Sequence, residues 1–265
     1  NNSDTETILH GYEEYGENIT KKLRGMFAFV IWDIKNQKLF GARDPFGIKP
    51  FYYYNSDNLF IFGSEIKSFI PHPEFKKELN EKALKTYLTF QYSALDETFF
   101  KGVFRLKPGH QFTYETGKLN ITEYYEAVFS EKKQDFEETV NKIHETVKSS
   151  IDYHRISDVE VGAFLSSGVD SSYVVSYAKP DRTYTVGFNF NNFDETVYAK
   201  DLSNMLGITN TSKLITAEEF FESLPYVQYY SDEPHANLSA VPLYHLAHLA
   251  AKDVKVVLSG EGADE

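Results

Sequence analysis

The rhythm of hydrophobic and polar positions changes once along the chain, near residue 130. Up to about residue 128, apolar residues come in short runs divided by polar turns. Phe27-Ala28-Phe29-Val30-Ile31-Trp32 has the length of a buried strand. Polar Lys35-Asn36-Gln37 separates it from Lys38 to Arg43, which predicts a hairpin. Phe51 to Tyr54 and Leu59 to Phe62 flank Asn55-Ser56-Asp57-Asn58, a second hairpin signal. Gln111 to Tyr114 and Lys118 to Ile121 surround Glu115-Thr116-Gly117, a third. Short helices are predicted over Ser64 to Phe69 and Asn80 to Phe90, the latter with Asn80 as N-cap. This half reads as α+β, rich in antiparallel sheet.

After residue 130 the period lengthens. Phe136, Val140, Ile143, Val147 and Ile151 form one apolar helical stripe. Short apolar strands then alternate with helical patterns. The strands are Val161 to Leu165, Tyr184 to Phe188, Ser212 to Ile215 and Val254 to Leu258. The helices are Ser171 to Ala178, Glu195 to Leu206, Ala217 to Tyr230 and Ala240 to Lys252. Such alternation predicts an α/β half with a parallel sheet covered by helices. The domains are therefore expected at 1–128 and 129–265. Ligands of a parallel sheet bind beyond the carboxyl ends of its strands.

Composition narrows the function. The 265 residues are 42% hydrophobic and 16% aromatic, enough for packed cores rather than disorder. A net charge of −12 argues against nucleic acid bound through a broad basic face. An anionic substrate would have to be held by backbone amides, helix N-termini or a metal ion. With no cysteine, the chain has no disulfide, thiolate zinc site or cysteine nucleophile of its own. No apolar run is long enough to span a bilayer, and no signal peptide is visible, so a cytoplasmic location is expected. The chain lacks an initiator Met and stops inside a strand-to-loop pattern, so it reads as incomplete at both ends. His245 and His248 share a predicted helix without the further ligands of a zinc set. The Tyr52-Tyr53-Tyr54 run is most simply core and rim.

Two strand ends carry candidate chemistry. Leu165 runs into Ser166-Ser167-Gly168-Val169-Asp170-Ser171-Ser172 and a helix. Small residues there let backbone N–H groups curl around an anion, with Ser166, Ser171 and Ser172 adding hydroxyls. Asp170 is placed to hold Mg²⁺ beside phosphates. No Walker-type Gly-Lys-Ser/Thr follows, and an ordinary serine-capped turn is the plain alternative. The second end, Val256-Val257-Leu258, runs into Ser259-Gly260-Glu261-Gly262-Ala263-Asp264-Glu265. Alone it would be a solvated acidic turn; beside the first loop it suits a metal nucleotide.

These residues resemble a known family, the glutamine-dependent asparagine synthetases. Ser166 to Ser171 is similar to its Ser-Gly-Gly-x-Asp-Ser loop, with Ser167 in place of the first glycine, a change that matters if that position needs positive φ. Leu258 to Glu265 is similar to its Leu-Ser-Gly-Glu-Gly-x-Asp-Glu loop. Arg24 to Phe29, Arg43-Asp44-Pro45-Phe46-Gly47-Ile48-Lys49-Pro50, Ser64-Glu65-Ile66-Lys67 and Leu106 to His110 resemble its glutaminase half. Read bare, these would be turns, with Pro45 and Gly47 shaping a bend and Arg43 and Asp44 open to pairing with each other.

The resemblance implies an Ntn-hydrolase-like glutaminase domain followed by a PP-loop ATP pyrophosphatase domain. It implies ATP, Mg²⁺, aspartate and glutamine as cofactors and substrates, and leaves room for a homodimer. Aspartate would attack the α-phosphate of ATP, releasing pyrophosphate, and ammonia from glutamine would then displace AMP. By family position Leu165, Ser166, Gly168, Asp170, Ser171, Ser172, Val186, Ser259 and Gly260 would bind the nucleotide. Asp170 and Asp264 would anchor Mg²⁺, Glu261 would be the acid of the synthetase centre with Asp170 beside it, and Asp4 would hold the α-amino group of glutamine. The plain alternative for Ser3 or Asp4 is an N-cap. Asp232-Glu233-Pro234 resembles a further family segment near the acceptor site, though either acid would serve equally to cap the following loop. The family's N-terminal cysteine and its downstream basic residues fall outside the chain, which is therefore expected to be inactive alone. Rival readings are a relative acting on another carboxylate, such as a β-lactam-forming enzyme, and a non-catalytic nucleotide-binding relative.

Overall fold

The computed structural model describes residues 3–131, 135–189, 194–234 and 236–263. They fall into two units, Asn1–Ser130 with Asp232–Ala236, and Glu131–Ser231 with Asn237–Glu265.

The first unit opens with helix α1 (Asp4–Tyr15), whose N-cap is Ser3: the Ser3 hydroxyl accepts the Glu6 N–H. A 3₁₀ turn, Gly16–Lys21, leads to strands β1 (Ala28–Asp33) and β2 (Lys38–Arg43). Their hairpin closes where the Asp33 carboxylate accepts the Asn36 N–H at 2.9 Å. Strands β3 (Tyr52–Ser56) and β4 (Leu59–Gly63) form the second hairpin. Helix α2 (Glu81–Phe90) starts on Asn80, whose side chain accepts from Lys82 and Ala83 N–H. Strand β5 (Val103–Arg105), absent from the sequence reading, pairs with β3. At three residues it is too short to show a period. Strands β6 (His110–Glu115) and β7 (Lys118–Glu123) complete two antiparallel sheets, ordered β1-β2-β6-β7 and β4-β3-β5. Aromatic rings fill the space between them; Phe60 of β4 stacks on Tyr114 of β6 with centroids 4.5 Å apart.

The conspicuous Arg43-to-Pro50 turn is held without an Arg43–Asp44 pair at its centre. Arg43 donates to the carbonyls of Gly47, Lys49 and Leu106 at 2.6–2.7 Å. Buried Asp44 accepts the N–H groups of Phe46, Ile48 and Lys49. Each ionic side chain thus serves the backbone of the bend. Burial holds the Arg43 pKa below its ordinary value. Gly47, at φ +65°, lies against Arg43 and Pro108, where a Cβ would have no room.

In the second unit, helix α3 (Phe136–His154) carries the predicted stripe, but only its C-terminal part packs: Ile151 is buried and Val147 lies against it. Phe136, Val140 and Ile143 are exposed. Strand β8 (Val161–Phe164), helix α4 (Val169–Ala178), strand β9 (Arg182–Phe188), helix α5 (Thr196–Leu206) and strand β10 (Thr209–Ile215) follow in turn. Helix α6 (Ala217–Tyr230) begins with a capping box between Thr216 and Glu219. Helix α7 (Ala240–Ala250) and strand β11 (Val256–Leu258) end the unit. The last strand starts two residues later than its apolar run, because the Val254 N–H still bonds to Ala250 O at the helix end.

All four strands are parallel, in the order β10-β9-β8-β11. Successive β8 residues face opposite cores. Ala163 and Leu165 join Ile151, Val175, Ala178 and Ala199 from α3, α4 and α5. Phe164 joins Tyr184, Ala250 and Val254 on the α7 side. Tyr184 is fully buried and bonds to Asp253 at 3.2 Å. The class is thus α+β followed by α/β, as the periodicity predicts.

Candidate nucleotide site of the second unit

Strand order fixes where a ligand can enter. The chain runs from β8 outward through β9 to β10, then returns to lay β11 on the other side of β8. A crevice opens at such a reversal, outside the carboxyl ends of the strands. Both glycine- and serine-containing loops leave from this point, one after β8 and one after β11.

The first loop is tied into a tight curl by its own hydroxyls. Leu165, buried, donates its N–H to Tyr184 O, and its carbonyl accepts from Thr185 Oγ1 at 2.8 Å. The Ser166 N–H donates to Ser171 Oγ at 3.2 Å, and the two hydroxyls lie 2.9 Å apart. The Gly168 N–H donates to Ser166 Oγ, while Ser172 Oγ donates back to Gly168 O at 2.7 Å. Gly168 is the N-cap of α4 and offers no side chain, so the first turn of α4 lacks a side-chain cap. Asp170 lies in that turn, half-buried. Ser167 does not adopt positive φ. A serine at the family's glycine position therefore costs the loop nothing in backbone strain.

The second loop presses against the first. A Cβ built on Gly260 would come within 2.6 Å of Ser171 N and 3.0 Å of the Asp170 carbonyl carbon. Only glycine permits that approach, and it brings the backbone of Ser259–Gly260 to the start of α4. Pairing of β11 with β8, Leu258 opposite Ala163, sets this register. The Glu261 N–H donates to Ser259 Oγ at 3.3 Å, and the Glu261 side chain is exposed. Val186 lies on β9 two residues beyond Tyr184, the partner of the last β8 residue. Of the residues singled out from sequence, Leu165, Ser166, Gly168, Asp170, Ser171, Ser172, Ser259, Gly260 and Glu261 thus come from two loops in contact, with Val186 on the neighbouring strand. Asp264 lies outside the described residues.

One contributor has no motif to betray it. Glu195, at the N-cap of α5, accepts the Ser167 N–H on its carboxylate at 3.3 Å. An anionic oxygen thus already rests on an amide of the curl, the bond type a phosphate would make. The signal open to sequence reading was position alone: Glu195 follows the carboxyl end of β9.

The residues suit Mg²⁺ carried by a nucleotide. Mg²⁺ prefers hard oxygen ligands and commonly takes one or two protein carboxylates beside phosphate oxygens. Asp170, a half-buried carboxylate in the first turn of α4, has that donor chemistry. Among the described residues no three His, Cys, Asp or Glu side chains gather into a cage, and a nucleotide-borne ion needs none. His245 is engaged elsewhere, 2.9 Å from Ser223 Oγ, and burial lowers its pKa.

In the first unit, Asp4 is exposed in the first turn of α1 and accepts the Thr5 N–H at 2.7 Å. Ser3 performs the capping, which leaves one Asp4 oxygen, Oδ2, outside these local bonds.

Comparison with known proteins follows the same division. A glutamine amidotransferase domain model matches residues 1–125, and an asparagine synthase model matches residues 142–265. Asparagine synthetase [glutamine-hydrolyzing] 1 of Bacillus subtilis is 42% identical over 99% of this chain and 42% of its own length. A putative asparagine synthetase [glutamine-hydrolyzing] 2 of Methanocaldococcus jannaschii is 33% identical over 99% of this chain and 53% of its own. Amidase chry2 of Gibberella zeae is 29% identical over the whole of this chain and 42% of its own. The chain thus spans about half or less of the length of these relatives.

Proposed function

Since the chain belongs to the glutamine-hydrolysing asparagine synthetase family, we propose that it supplies the nucleotide loops and part of the glutaminase unit of an enzyme that makes asparagine from aspartate, ATP and glutamine. The observation that carries this reading is the contact of Gly260 with the start of α4, which joins two loops of the matching family motifs into one cradle.

The chemistry follows from charge. A carboxylate is a weak nucleophile facing a polyanion, so positioning and charge neutralisation must supply most of the rate. The hydroxyls of Ser166, Ser171 and Ser172 and the N-terminal turn of α4 behind Gly168 hold the departing pyrophosphate, and the backbone of Ser259–Gly260 with Leu165 and Val186 bounds the adenosine. Asp170, joined by Asp264, would hold Mg²⁺, which would neutralise phosphate charge. The β-carboxylate of aspartate attacks the α-phosphorus, the bond to the bridging oxygen breaks, and pyrophosphate leaves. Ammonia then attacks the acyl carbon of β-aspartyl-AMP and AMP departs. Glu261 orients the acceptor or takes the proton that ammonia loses. Asp4 pairs with the α-ammonium of glutamine in the first unit.

The test is pyrophosphate release by the full-length protein with Mg-ATP and ammonium chloride, with and without L-aspartate. Aspartate-dependent release matched by AMP and asparagine is expected, with Asp170→Asn at least 100-fold slower. Aspartate-independent release, or release only with another carboxylic acid, would overturn the assignment of the acceptor.

A further inference from the structure

Asp232 and Glu233 do not cap the loop that follows them. The chain leaves the second unit after Ser231, contributes Asp232–Ala236 to the first, and returns at Asn237. Within the first unit Asp232 accepts the Ile66 N–H at 2.6 Å, and Lys67 Nζ lies 3.0 Å from its other oxygen. Glu233 accepts the Phe99 N–H at 3.1 Å and takes both Nε and Nη2 of Arg105 on one oxygen, at 3.1 and 2.6 Å. These partners lie 128 to 166 residues away in sequence. The two acidic side chains are only 7% and 11% exposed.

Burying two adjacent carboxylates in a chain of net charge −12 is costly unless every oxygen is matched. Here backbone N–H groups and two cations match them. Such pairs serve better to specify one arrangement than to add stability. Asp232 also has φ +60°, a left-handed conformation that, among non-glycine residues, Asp and Asn adopt most readily. The segment links the end of α6 to the start of α7, so any shift in either helix is transmitted covalently to a stretch pinned at Lys67, Arg105 and two amides.

We propose that Asp232 and Glu233 are positioning residues that couple glutamine hydrolysis in the first unit to amide synthesis in the second. The proposal rests on the functional reading above. Its test uses the full-length enzyme and measures glutamate formed per pyrophosphate formed with glutamine as donor. Pyrophosphate formation with ammonium chloride is measured in parallel. The double variant Asp232→Asn, Glu233→Gln places amide N–H groups against donors. It should raise the glutamate-to-pyrophosphate ratio at least threefold, while the ammonium-dependent rate stays within twofold of wild type. Arg105→Lys, which keeps the charge but loses the two-nitrogen grip on Glu233, should give a smaller rise. If the double variant does not fold, Glu233→Gln alone and Arg105→Lys carry the test. An unchanged ratio, or equal loss with both nitrogen sources, overturns the coupling role. Wild-type enzyme that forms no pyrophosphate with ammonium overturns the functional reading itself, and the coupling role with it.

Discussion

At Gly260 the absence of one methyl group decides whether two loops can meet. Substitution by alanine would place a carbon 2.6 Å from Ser171 N, so the α4 turn or the β11 loop must move. Overpacking of this kind costs about 1–3 kcal/mol. Gly260→Ala is therefore expected to raise the KM for ATP roughly tenfold or more, given that 1.4 kcal/mol is a factor of ten, and to lower the melting temperature. An unchanged KM in steady-state assays would remove this contact from the nucleotide site. Ser167 marks the opposite case. Its backbone avoids the left-handed region, so restoring glycine there gains nothing. The sequence shows the change from glycine, but its harmlessness depends on a backbone angle that only the fold determines.

Elements were legible where their local rules and tertiary setting agree. The β1–β2 hairpin appears at its predicted place because polar Lys35-Asn36-Gln37 interrupts two apolar runs. Helix α2 begins on its predicted cap because Asn80 satisfies two otherwise unpaired N–H groups. Helix α3 stands where periodicity predicts it, but Phe136, Val140 and Ile143 of its stripe are exposed. An apolar period states that a face is suited to packing, without stating that this unit covers it. Strand β5 was illegible for lack of length. Glu195 was missed because its meeting with Ser167 depends on how far β9 extends beyond β8, a distance set by sheet register rather than by motif.

For the whole molecule, an acidic chain proposed to hold ATP needs local devices, and the two candidate loops lie at the reversal in the order of the parallel strands. The loops were legible as neighbours at one sheet edge, but the close approach of Gly260 to the start of α4 was not, since it depends on how β11 pairs with β8. On the proposed function, defects in the two units separate by nitrogen source. Asp4→Ala is expected to lower glutamine-dependent asparagine formation at least tenfold while leaving the ammonium-dependent rate within twofold of wild type. Equal loss with both donors would contradict the pairing of Asp4 with glutamine. The most direct measurement follows an oxygen atom. With aspartate labelled with ¹⁸O in its β-carboxylate, attack on the α-phosphorus and later displacement by ammonia predict one labelled oxygen in each AMP released. Unlabelled AMP, with the label in pyrophosphate or inorganic phosphate instead, would contradict the account.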